Sequence, residues 1–129
     1  MTEADLTKRL MVALRLAMPG CVVIKHADAW TAGIPDMTVS WRGVTTWLEL
    51  KKLPYRSREI QRLRIQQLGR VARVYYVMYD PKDKTVAVIT PERFERREEP
   101  DFFAAMPAGH AQVARFLAES HAESHHGLL

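Results

Sequence analysis

The stretch from Gly33 to Lys51 restricts the fold more than any other part of the chain. It holds Gly33-Ile34-Pro35-Asp36, then residues 37–41, the pair Arg42-Gly43, and residues 44–51, with Glu49 thirteen positions after Asp36. Two β-rich runs around a two-residue turn with glycine second predict an antiparallel hairpin. Side chains alternate across a strand, so Trp47, Glu49 and Lys51 share one face while Leu48 and Leu50 share the other. Asp36 opens the first strand at the end of the hairpin where Lys51 closes the second. Two acids and a lysine therefore converge at one edge of a largely apolar sheet.

Two carboxylates plus a main-chain carbonyl make an oxygen site of the kind magnesium accepts, with water filling the other positions. A lysine two residues beyond the glutamate can orient an attacking water or neutralise phosphate charge. The same charges also fit a structural salt bridge or a solvated strand face.

These residues, with Gln61 on the helix that follows, resemble the PD-(D/E)xK nuclease superfamily. Within it they are most similar to the VRR-NUC group, including its stand-alone, phage-type single-domain members. The resemblance covers roughly residues 3 to 80 and is most specific over 33 to 61. It implies a restriction-endonuclease-like α/β core, a mixed central β-sheet flanked by helices in α-β-β-β-α-β order. It also implies Mg2+-dependent hydrolysis of phosphodiester bonds, with Mn2+ able to substitute. Asp36, Glu49 and the Leu50 carbonyl would be metal ligands, Lys51 the water-positioning cation, and Gln61 a supporting residue. Small members of the group often act as homodimers on structured DNA such as four-way junctions, leaving 5′-phosphate ends.

At 129 residues the chain suits one domain with a sizeable core. Residues 1–120 are expected to form it and 121–129 a flexible tail. A hydrophobic content of 47% excludes global disorder. A net charge of +4 suits a polyanionic partner without identifying one. The single Cys21 excludes an internal disulfide framework and a multi-cysteine zinc site. The sequence shows no signal peptide and no long apolar run, so it reads as a soluble, cytoplasmic protein of a bacterial or phage-infected cell, with no membrane partner and no small-molecule cofactor.

The chain opens on a helix over residues 2–18, with Thr2 and Asp5 as a capping-box-like start. Its apolar arc holds Leu6, Leu10, Leu14 and Met18, and Glu3 falls inside that arc. Glu3 can favour the helix dipole; alternatively it points at the metal, as a first-helix glutamate does in the resembling family. A strand over 21–25 leads into a polar loop in which His26 and Trp30 could meet a phosphate or a base, or simply pack.

After the hairpin, Ser57 can cap a helix over about 58–68, whose apolar side holds Ile60, Gln61, Ile65 and Leu68. Gln61 is there either a core amide bonded to backbone or a support for the site. Lys52, Arg56, Arg58, Arg62, Arg64, Arg70 and Arg73 form the densest basic run. Such a run is often a solvated face; its place after the Glu-x-Lys motif makes Lys52, Arg56 and Arg58 candidates for phosphate contact. Strands over 71–79 and 85–89, a helix from Thr90-Pro91, an irregular segment over 100–109 and a helix over 110–120 complete the reading. Phe102, Phe103 and Met106 either join the core or form a dimer patch.

The leading functional reading is a metal-dependent endodeoxyribonuclease, Holliday-junction-resolvase-like and homodimeric. Two alternatives stand beside it: a non-catalytic nucleic-acid-binding module that kept the fold, and a nuclease subunit of a larger repair or restriction assembly. All the charged motif residues are present, which favours catalysis, and no groove-reading motif occurs.

Overall fold

The computed structural model describes residues 2–26, 34–54 and 58–127. Helix α1 (Glu3–Ala17) starts on a full capping box, in which Thr2 and Asp5 each satisfy the other's backbone N–H. Its Leu6, Leu10 and Leu14, spaced by four, are buried. Strand β1 (Val22–Lys25) follows, then β2 (Met37–Trp41) and β3 (Val44–Lys52). Arg42 and Gly43, both at positive φ (51° and 78°), form the turn between β2 and β3, the twist that a two-residue hairpin requires.

Helix α2 (Glu59–Gly69) crosses to β4 (Arg73–Asp80); β5 (Thr85–Ile89), α3 (Pro91–Glu95), β6 (Phe102–Ala105) and α4 (Gly109–Gly127) complete the chain. The six strands lie in sequence order in one sheet. Among the described residues only the β3–β4 pair is parallel, as the α2 crossover between them demands. The sheet is therefore mixed, with helices on both faces. Leu48 and Leu50 enter the core under α1 and α4, with Val77, Val86, Val113 and Leu117. Trp47 faces the other way, onto the smaller core of Ile65, Val74, Tyr76 and Ile89 beneath α2 and α3. The alternation expected of residues 47–51 is thus realised.

Four expectations need correction. Residues 102–105 are not irregular: they form β6, paired antiparallel to β5 from Thr85↔Ala105 to Val88↔Phe102. β4 begins at Arg73, and Val71 is 83% exposed. Ile60 is exposed, because α2 meets the sheet along Gln61, Ile65 and Leu68. The last helix extends past Ser120 to Gly127, and His121 is buried within it. Arg58 is the N-cap of α2 and makes no side-chain cap bond; the proposed cap, Ser57, lies outside the described residues.

Candidate active site

Asp36 sits one residue before β2, and its carbonyl accepts the His26 N–H at 2.7 Å, which continues the β1–β2 ladder past its last pair. That bond directs the backbone of Asp36 toward β1. Its neighbours at 35 and 37 therefore face β3, since successive residues of a strand point their backbone groups to opposite sides. The β2–β3 register begins at Met37↔Leu48; continued two places, it sets Pro35 opposite Leu50. Proline has no N–H, so it cannot give the Leu50 carbonyl its ladder bond. The Leu50 N–H meanwhile donates to Asp36 Oδ2 at 2.9 Å. A strand residue's N–H and C=O leave on the same side, which turns the Leu50 carbonyl toward the edge that Asp36 occupies. Pro35 thereby leaves the Leu50 carbonyl without that ladder bond, on the side of the strand where Asp36 stands.

Glu49 points to the α2 side and is wholly buried. Its Oε2 accepts from Gln61 Nε2 at 2.7 Å and lies 4.0 Å from Lys51 Nζ. Its Oε1 is buried with no hydrogen-bond partner. Burial pushes the Glu49 carboxyl up to about 9, the neighbouring Asp36 acting in the same direction and Lys51 against it. A half-buried acid beside a wholly buried one with an orphaned oxygen is an arrangement that a divalent cation would relieve. Asp36, Glu49 and the Leu50 carbonyl fit such an ion by the hardness of their oxygens. Among the described residues no group of three His, Cys, Asp or Glu side chains is gathered for a metal.

Four of the sequence candidates come together here: Asp36, Glu49, Lys51 and Gln61. Glu3 does not join the carboxylates. It is exposed, and its Oε1 accepts the Lys52 N–H at 3.2 Å, tying the start of α1 to the end of β3. His26 stacks on Trp47 with ring centroids 5.2 Å apart and bonds Thr38 Oγ1 at 3.1 Å; it flanks Asp36 as a packed residue. Lys52 and Arg58 are exposed beside the site. Arg56 and Trp30 lie outside the described residues.

The sequence reading missed two polar clusters. Arg62 Nη1 pairs with Glu95 Oε2 at 2.5 Å, joining α2 to α3. Under α4, Thr46 Oγ1 contacts His121 Nε2 at 3.1 Å and accepts from Arg73 Nε at 3.2 Å. The second was visible in principle: residues 113, 117 and 121 continue one apolar stripe at a spacing of four.

No family model and no curated protein matches the chain. Among solved structures, the chain is similar to a Holliday junction resolvase of the archaeal hyperthermophile Archaeoglobus fulgidus. The TM-score is 0.57 at 20% identity, over 86% of this chain and 98% of that one. The two share a fold, and the expected endonuclease-like core is present.

Proposed function

We propose that this protein is a divalent-cation-dependent endonuclease that cuts branched DNA as a homodimer. The observation that carries the reading is the wholly buried Glu49, its Oε1 without a hydrogen-bond partner, beside the half-buried Asp36. The fold shared with a Holliday junction resolvase supports branched DNA as the substrate class. The sequence motif favours the VRR-NUC branch of the nucleases and Mg2+ as the physiological ion, with Mn2+ as a substitute.

Asp36, Glu49 and the Leu50 carbonyl would hold the cation. Bound there, it would neutralise charge on the scissile phosphate and on the departing oxygen. Lys51, at the mouth of the site with a side chain 16% exposed, orients the attacking water. That water adds to phosphorus as the P–O3′ bond breaks, leaving a 5′-phosphate and a 3′-hydroxyl. Gln61 holds Glu49 Oε2 and so fixes the direction of the carboxylate. Glu3 orders the end of β3 through the Lys52 N–H. Lys52, Arg56 and Arg58 provide phosphate contacts that position the strand without reading sequence, and His26 supports the substrate side of Asp36. A homodimer would set two such sites against two strands of a junction.

The test is cleavage of labelled four-way junction, flap, duplex and single-stranded DNA, with Mg2+ or EDTA, by wild type and Glu49→Ala. Mg2+-dependent cutting of branched substrates, lost in the variant, is the expected result. Tight binding with no cutting of any substrate would favour the binding-module reading instead.

A further inference from the structure

The outer face of the site poses a mechanical question. Gln61 must hold Glu49 at hydrogen-bond distance, yet the helix that carries it is thinly anchored. Within α2 only Ile65 is fully buried, and Arg58 offers no side-chain cap. We propose that the Arg62–Glu95 ion pair is a positioning clamp. It fixes α2 against α3 so that Gln61 stays on Glu49, and thereby sets the cation affinity of the centre. The inference rests on the reading that Asp36 and Glu49 take a divalent cation.

Neighbouring helix residues point about 100° apart. While Gln61 turns to the sheet, Arg62 turns to α3, where the Arg62–Glu95 bond is 2.5 Å with side chains 34% and 20% exposed. A partly buried, charge-assisted contact of this kind is stronger and less screened than a surface pair. The receiving end is itself held. Thr90 caps α3, its N–H donates to Asp101 Oδ2 at 2.9 Å, and Arg93 Nε lies 3.1 Å from Asp101 Oδ1. At the far end of α2, a Cβ on Gly69 would stand 3.2 Å from Pro91 Cγ, so the two helices also approach closely there. Asp101 thus holds α3, Glu95 of α3 holds Arg62, and Gln61, next to Arg62 on α2, holds Glu49. Released at Arg62, α2 keeps its Ile65 contact and can tilt about it, and the 2.7 Å bond at Glu49 is the contact that such a tilt strains.

The test measures Mn2+ affinity by calorimetry for wild type, Glu95→Gln, Gln61→Met, the double variant, and the swap Arg62→Glu with Glu95→Arg. Melting temperatures and the Gln61 side-chain amide resonance of the metal-free proteins accompany it. The expected result is about a tenfold loss of affinity in Glu95→Gln, recovery in the swap, and no further loss when Glu95→Gln is added to Gln61→Met. A role confined to stability would lower the melting temperature and leave Mn2+ affinity unchanged, or add fully to Gln61→Met; either outcome overturns the clamp. If wild type binds no Mn2+, the nuclease reading fails by itself. The clamp is then judged by the Gln61 resonance, which must move toward solvent values in Glu95→Gln and overturns the proposal if it stays in place.

Discussion

A carboxylate enclosed as Glu49 is must be protonated, paired or bound to a cation. In the metal-free fold it keeps its proton far above the range in which an unfolded chain releases it, from 4.5 up to about 9. The fold then binds more protons than the unfolded chain across that window, so this group's stabilising contribution is complete below it and is lost as pH rises through it. Glu49→Gln keeps the shape and an acceptor for Gln61 while removing the titration. At pH 8 without metal, the variant is expected to be more stable than wild type by about 1–3 kcal/mol. Added Mg2+ should raise the melting temperature of wild type only. Denaturation with and without EDTA measures both, and a variant no more stable than wild type would contradict the burial argument. Lys51 stands differently, at the mouth of the site. Lys51→Ala is expected to slow junction cleavage by roughly 10²–10⁴-fold while leaving cation binding in place, as a paired rate and calorimetric measurement would show.

Among the elements, β3 unites the molecule, since its two faces serve two cores. Leu48 lies in the larger core with no exposure, and Leu48→Ala is expected to cost about 2–5 kcal/mol by chemical denaturation. Helix α4 depends on a buried polar contact as well as on packing. His121 Nδ1 donates to the Leu117 carbonyl at 2.8 Å, so Nε2 accepts from the Thr46 hydroxyl, and the ring is neutral. Burial holds the His121 pKa below its usual value, Arg73 adding to the effect and the bond to Leu117 opposing it. His110 is lowered likewise, by burial and then by Arg9. The unfolded chain takes up these protons first, so stability falls as pH drops below about 6.5, by at most about 1.4 kcal/mol per pH unit for each histidine. Glu49 acts in the opposite sense, so the measurement belongs in the Glu49→Gln background. There the melting temperature should drop from pH 7.5 to 5, and His121→Gln should flatten the slope.

At the scale of the whole molecule, what could be read in advance was what a local pattern encodes. The hairpin, the capped first helix and the convergence of Asp36, Glu49 and Lys51 all follow from neighbours in sequence. The alternation over residues 47–51 likewise placed the acid and the leucines on opposite faces. β6 escaped because Phe102–Ala105 is a short run without polar alternation; its strand character comes from pairing with β5. The outward turn of Ile60 escaped because the helix wheel gave Gln61 and Ile60 equal claim to the sheet, and the partner waiting at Glu49 decided between them. The Arg62–Glu95 pair joins residues 33 apart, and the network at His121 joins residues 75 apart. Contacts of that range depend on the finished topology.

The most direct measurement of whether this fold houses a cation centre is calorimetric titration of Mg2+ at pH 7, in two buffers of different ionisation enthalpy, for wild type and Glu49→Gln. Because Glu49 holds its proton up to about 9, a cation must displace it. About one proton per bound ion should be released by wild type, with no comparable binding in the variant. Binding without proton release, or equal binding by Glu49→Gln, would contradict the assignment of the Asp36–Glu49 pair as the metal centre.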